Sequence, residues 1–222
     1  MDTCPIARPA SLLAFDGFSP DSFAWFAGLE ADNSKTYFTE HRETYDRAVR
    51  GALEALLEEL ADEFGGRVKL FRQNRDIRFS RDKSPYKTRT YGVIQDRPSS
   101  RAPLYAQISR EGLFAGSGYY LLDSAQLERF RDAVVDDRSG PELERAIAGI
   151  ETFGEALKTA PRGYPRDHPR VGLLRHKSLI SGSRLAPTKK RISRNAALDH
   201  ARTIWNACAP MNAWLDAHVG AT

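Results

Sequence analysis

Cysteine is scarce in this chain: Cys4 and Cys208 are the only two among 222 residues. So small a number excludes a disulfide framework, and with Cys4 in a proline-rich start the pair reads as reduced thiols, which points to the cytoplasm. Long apolar runs are missing too. Met1 to Ala14 offer one cation, Arg8, and one short apolar run, Ala10 to Ala14, too little for a secretory signal. No later run approaches the length of a membrane span, so a soluble protein with no membrane partner is expected.

The signatures of well-known chemistries are equally absent. His41, His168, His176, His200 and His218 are scattered, with no i, i+4 pair beside a Glu as zinc hydrolases have, so no metal site is expected. Gly112, Gly116 and Gly118 lack a following GK[ST] or a βαβ unit, which excludes a P-loop or dinucleotide fingerprint, and no cofactor is implied. Those glycines read instead as close backbone packing, or as room for a ligand to approach a sheet. There is no GxSxG elbow, and neither Cys has a neighbour that would activate it.

What is present fits one α+β domain over residues 19–218, preceded by a flexible segment over residues 1–18. A chain of this length can bury about 70% of its unfolded surface. Ser19-Pro20 starts a helix carrying Phe23, Phe26 and Leu29, and Asp32-Asn33-Ser34 ends it. A long helix is expected from Thr36 to Phe64, with Tyr45, Val49, Leu53, Leu56, Leu57, Leu60 and Phe64 on one face, stopped by Gly65-Gly66. From Val68 the period becomes two, with Phe71, Ile77 and Phe79 on one face of an extended segment. Thr90 to Gln95, Leu104 to Ser109 and Leu113 to Tyr120 follow, the last two joined at Arg110-Glu111-Gly112. Together these four runs predict a four-stranded antiparallel meander packed between N- and C-terminal helices. Asp123 with Gln126 signals a capping box, Ser139-Gly140-Pro141 a second start, and Leu143 to Leu157 a further apolar face. Val171 to Leu179 reads as a short helix, Ser181 to Arg194 as polar and basic, and the last helix as running from Ala196 to Cys208 before resuming or kinking at Pro210.

Charge is concentrated in one place. Between Lys69 and Arg89 stand eight cations and two carboxylates, a local net of +6 against +4 for the whole chain, so the remainder is slightly acidic. On a strand Asp76 and Arg78 would share a face and pair. The turn after them, stiffened by Ser84-Pro85, presents Lys83, Tyr86 and Lys87. A phosphate or carboxylate could sit between Arg78 and Lys87, with Tyr86 donating to it or stacking on a ring. Strict alternation leaves Arg75 on the apolar face, which requires a bulge or a buried acidic partner.

The run Arg75-Asp76-Ile77-Arg78-Phe79-Ser80-Arg81-Asp82-Lys83-Ser84-Pro85-Tyr86-Lys87-Thr88 resembles the signature of a bacterial and fungal family catalogued as domain of unknown function 2461. Other pieces agree in order, among them Tyr37-Phe38 with Arg42 and Tyr45, Gly116 with Gly118 and Tyr119, Asp167-His168-Pro169, and Trp214-Leu215. Where that family has a paired Asn and then Trp-Phe, this chain has Asp32-Asn33 and Tyr37-Phe38. The resemblance implies a compact α+β domain and supplies no activity.

Three readings of the basic stretch follow. The first is a small anionic ligand bound by Arg75, Arg78, Lys83, Tyr86 and Lys87, with Asp76 or Tyr86 available for proton transfer if a reaction occurs. His168, in its proline-bounded loop, is a further acid–base candidate, against the simpler reading that it caps the next helix. The second is nucleic acid held on this stretch and a second basic cluster, Lys189, Lys190, Arg191 and Arg194; against it stands the lack of an aromatic-interleaved strand like those of RNA-binding sheets. The third is an ion network that locks the sheet to the helices and makes Asp76→Ala strongly destabilising. Reaction and oligomeric state do not follow from the residues.

Overall fold

The computed structural model describes residues 14–220. A short strand β1 (Gly17–Phe18) pairs with β8 (Ile192–Ser193), and Phe15 and Phe18 are buried in the core. Residues 14–18 are therefore packed against the body, whereas the rest of the segment expected to be flexible, including Cys4, lies outside the described residues.

Helix α1 (Pro20–Ala31) starts as expected, with Pro20 at the first helical position, although Ser19 makes no capping bond and its Oγ is buried without a partner. The expected helix from Thr36 to Phe64 is interrupted. It comprises α2 (Lys35–Glu40), α3 (Arg42–Thr44), a π-helical turn over Tyr45–Gly51, and α4 (Ala52–Phe64). The break falls at His41, whose ring stacks on Tyr37 at 4.1 Å and shares the Tyr37 carbonyl with its own backbone N–H. Helix α4 buries Leu53, Leu56, Leu57 and Leu60, and Gly65 and Gly66 end it at φ of +72° and +109°, which glycine adopts without a Cβ penalty.

The sheet has six antiparallel strands rather than four. Strands β2 (Arg67–Leu70), β3 (Arg89–Gln95), β4 (Leu104–Ser109) and β5 (Gly112–Tyr119) form the expected meander. Beyond β5 lie β7 (Leu179–Leu185) and β6 (Thr152–Phe153), in the order β2-β3-β4-β5-β7-β6. The region read as helix up to Leu179 contains only α7 (Val171–Leu174) before β7 begins. Strand β7 escaped the apolar pattern because its central positions on the helix-facing side are Ser181 and Ser183, whose carbonyls meet Cys208 and His200 of the last helix. The apolar face expected up to Leu157 stops early as well: α5 (Ser124–Val135) has both halves of its Asp123/Gln126 capping box, but α6 (Ser139–Ala146) ends before Gly149, which sits at φ +82°. The last helix, α8 (Arg194–His218), is continuous through Pro210.

Helices α4 and α8 cover one face of the sheet. A methyl group at Gly92 would meet Leu57 of α4, and Asn212 of α8 donates to Ser117 Oγ at 2.8 Å. Two core clusters result. One holds α1, α4, Trp25 and Trp205, and the other packs α5, α6 and α7 on Met211, Trp214 and Leu215. Among the described residues, no helix is long and apolar enough to cross a membrane.

Candidate functional site

The strand expected to run from Val68 to Ser80 stops at Leu70, and residues 71–88 form a loop with a narrow neck. Two amide side chains close that neck. Gln73, 4% exposed, donates through Nε2 to the carbonyls of Lys87 and Arg89, and its Oε1 accepts from Thr90 Oγ1 at 2.8 Å and Tyr45 Oη at 3.4 Å. Asn33 exchanges two hydrogen bonds with the backbone of Tyr86, at 3.0 and 3.1 Å, much as a neighbouring strand would. Tyr86 itself is 8% exposed and stacks on Phe38 at 4.3 Å. Sequence reasoning missed Gln73 altogether, since a glutamine in a polar stretch carries no signal that it is buried.

Beyond the neck, Asp76 to Lys83 form a braced tip. Arg75, the residue out of place on a strand, pairs with the Asp82 carboxylate and donates to Ser80 Oγ at 3.3 Å; the expected acidic partner exists, but it is exposed. Asp82 Oδ1 also accepts from the Ser84 hydroxyl at 2.6 Å and the Ser84 amide at 2.9 Å, and these bonds with Arg75 hold its carboxyl well below the usual range. Asp76 and Arg78 form the expected pair at 2.7 and 3.0 Å; the Arg78 bonds lower the Asp76 pKa and raise that of Arg78. Lys83 Nζ donates to the Ile77 carbonyl at 3.1 Å, and Lys87 Nζ to that of Arg72. Arg78, Tyr86 and Lys87 thus face three different partners instead of converging on one anion. Phe79, expected on a buried face, is 96% exposed at the apex.

Of the eight cations from Lys69 to Arg89, only Arg75 and Arg78 have carboxylate partners among the described residues. Lys69, Arg72, Arg81, Lys83, Lys87 and Arg89 form no ion pair there. Two of them, Lys69 and Lys87, lie over rings on the outer face of the sheet, the one that α4 and α8 leave uncovered. The strand registers align Tyr91 with Gln107, Tyr105 with Gly116, and Gln107 with Phe114. The result is a row of half-buried rings across the sheet: Phe71 to Tyr91 at 4.9 Å, Tyr91 to Tyr105 at 5.7 Å, Tyr105 to Phe114 at 6.1 Å, and Phe114 to Phe153 at 5.9 Å. Phe114 lies over two glycines, because a Cβ built at Gly182 or Gly116 would approach its ring to 2.5 or 2.9 Å. The cations Lys69, Lys87 and Arg184 stand 5.2, 4.9 and 6.0 Å from the ring centres of Phe71, Tyr91 and Phe114. Burial raises the Tyr105 hydroxyl above its ordinary pKa, so it remains a neutral donor, here to Gln107 Oε1 at 2.8 Å. No single strand is interleaved with aromatics, as the sequence indicated, since β3, β4 and β5 contribute one ring each, Tyr91, Tyr105 and Phe114; the row forms across the strands. The signal was available in the alternation of each strand, but the row runs perpendicular to the chain and needs the register.

The remaining candidates fall elsewhere. His168 Nδ1 accepts from the Arg170 amide at 3.0 Å, a local turn bond, and the N-terminus of α7, with Arg170 at its cap position, has no side-chain capping bond. In the second basic cluster, Arg194 pairs with Glu59, and Arg191 and Arg194 line a cleft of about 940 Å3 that also holds Asp46, Arg47 and Glu54 and touches none of residues 69–89. Lys189 and Lys190 are exposed. The segment that carries them leaves the sheet at the same end as the basic loop, since Arg89 pairs with Ser109, Ser109 with Gly112, and Leu113 with Leu185. Three strand spacings separate Arg89 from Leu185, about 14 Å.

Comparison with curated proteins finds no match. A family model does match, over residues 21–214, and it spans α1, the braced loop, the whole six-stranded sheet and most of α8. The chain therefore belongs to the family described as conserved hypothetical protein (DUF2461).

Proposed function

We propose that the protein binds single-stranded nucleic acid across the outer face of its sheet. The observation that carries this reading is the row of five rings on the face that α4 and α8 leave uncovered, with Lys69 and Lys87, which have no carboxylate partner among the described residues, and Arg184, which pairs with Glu111, standing over three of them. Bases stack on aromatic side chains without regard to sequence, and neighbouring Lys and Arg residues take the phosphates. Small-molecule sites are concave and enclose most of their ligand. This surface is open and several strands wide, which suits an extended strand better than a metabolite. A small anion seated between Arg78 and Lys87 would first have to displace Asp76 from one and a backbone carbonyl from the other. The bonds of the ion network read as architectural, Arg75, Asp76, Arg78, Asp82 and Lys83, stay within the loop, and neither they nor the neck bonds of Gln73 and Asn33 give the outer face a role.

Fluorescence anisotropy with labelled single- and double-stranded oligonucleotides at low salt tests the proposal. The single strand is expected to bind more tightly, with affinity falling as salt rises. Replacing Lys87 and Arg89 by Gln should flatten that slope by about 0.7 for each phosphate no longer neutralised. Phe114→Ala should weaken binding by roughly tenfold, and Phe114→Tyr should retain it. No binding at low salt, or equal affinity in Phe114→Ala and wild type, would overturn the reading.

A further inference from the structure

The loop apex presents a second feature that the sheet face does not account for. Phe79 stands 96% exposed between Arg78 and Arg81, at a turn closed by the Ser80 amide donating to the Ile77 carbonyl at 3.3 Å. An exposed ring on a mobile loop would fold back to cover itself, since burial of apolar surface is favourable. Here the backbone prevents it. Arg75 ties Asp82 and Ser80 together, Asp82 holds Ser84, and Lys83 reaches back to the Ile77 carbonyl, so the apex is fixed from both sides. The Arg78 guanidinium stands 6.0 Å from the centre of the Phe79 ring.

Position gives the ring a use. The aromatic row ends at Phe71 and Tyr91, and Phe71 is the first residue of the loop: its amide donates to the Tyr91 carbonyl at 3.1 Å, and its ring stacks on Tyr91. Lys87, the last neck residue, lies over that same Tyr91 ring. A strand laid along the row thus runs into the loop at Phe71, and Arg72, the next residue, is exposed and has no carboxylate partner among the described residues. We infer that Phe79 is a wedge that stacks on the terminal base pair where a bound single strand enters a duplex, making a single-strand–duplex junction the ligand class of this protein. The inference rests on the proposed single-strand site and adds a second point of attachment to it. Rigid apolar side chains flanked by cations act in this way when they stack on or part neighbouring bases. Arg81, exposed beside the apex and without a carboxylate partner among the described residues, is the cation available to the phosphates at the junction.

Three labelled oligonucleotides of equal single-strand length test it: the single strand alone, the same strand continued into a hairpin stem, and the blunt hairpin. Vesicles of phosphatidylglycerol serve as a fourth probe. The wild type should bind the junction about tenfold more tightly than the single strand. Phe79→Ala should abolish that preference and leave single-strand affinity unchanged, while Phe79→Trp should restore it. Because the side chain is almost wholly in solvent, its removal leaves the core intact. Intact single-strand binding with no junction preference, or with a preference that survives Phe79→Ala, would overturn the wedge alone. Vesicle binding that depends on Phe79 in the absence of any junction preference would assign the apex to an anionic lipid surface and overturn it likewise. Loss of single-strand binding by the wild type would remove both proposals.

Discussion

Replacing Gln73 by Ala separates the structural part of the basic loop from its presenting part. Its amide makes four hydrogen bonds, two donated to the Lys87 and Arg89 carbonyls and two accepted from Thr90 and Tyr45. Lys87 and Arg89 are near enough to solvent for water to replace the amide donors. Thr90 and Tyr45 are buried, at 1% and 4% exposure, and their hydroxyls lose their acceptor in a dry setting. The Tyr45 bond, at 3.4 Å, is long and contributes the smaller share. A buried polar group left unsatisfied costs about 1–3 kcal/mol. Adding a modest cavity term, we expect Gln73→Ala to lose about 2–4 kcal/mol. Urea unfolding followed by tryptophan fluorescence should show a lower midpoint with an unchanged slope, and calorimetry a melting temperature lower by about 5–15 °C. A loss below about 1 kcal/mol would refute the reasoning, because it would mean that water satisfies the neck without the amide.

Three further outcomes follow from the same division. Asp76→Ala should leave the urea-unfolding midpoint essentially unchanged, since the Asp76–Arg78 pair is exposed; the large loss expected of a locking ion network would contradict this. Asn33→Ala should cost about 1–2 kcal/mol by the same measurement and speed hydrogen exchange at the Tyr86 amide, which would lose its acceptor. The folded pKa of Asp82 is depressed, so its contribution to loop order is complete above the unfolded value near 4 and is lost as pH falls through the lower folded value. Exchange at the Ser84 amide, corrected for intrinsic rates, should therefore be slow at neutral pH and accelerate only in strong acid; acceleration already at about pH 5 would contradict the assignment.

The parts of this fold that were legible in the sequence are those where local chemistry and tertiary packing agree. The Asp123/Gln126 box, the Leu stripe of α4 and its Gly65-Gly66 stop are local devices, and each occurs where its residues predict. The meander was legible because the inner positions of β3 and β4, such as Ile94, Leu104 and Ile108, are aliphatic at a period of two. Strand β7 was not, because it faces a helix through serines and therefore lacks the aliphatic alternation that marks a strand. Residues 71–80 failed for the opposite reason. Phe71, Ile77 and Phe79 alternate like a strand, yet pairing stops at one bridge, Asn74 with Tyr86, where the Arg75 and Lys87 amides donate to the Pro85 and Gln73 carbonyls, and Gln73 and Asn33 brace that neck with their side chains. Among the charges, the Asp76–Arg78 pair was legible from its spacing. The aromatic row was not, since it joins residues far apart in the chain through register alone.

Helix α8 spans both cores, with Trp205 in one, Met211 and Trp214 in the other, and Ile204 touching both. It also lies C-terminal to every strand it covers. On the ribosome, therefore, the inner face of β5 emerges first and waits on the order of several seconds for its lid, at ordinary rates of synthesis. A chain that ends before Arg194 lacks the helix that packs on the inner face of β5, and with it Trp205 of one core and Met211 and Trp214 of the other. Neither core can close until the last helix has been made, so the end of synthesis, rather than the closing of any turn, sets the earliest moment at which the fold is complete.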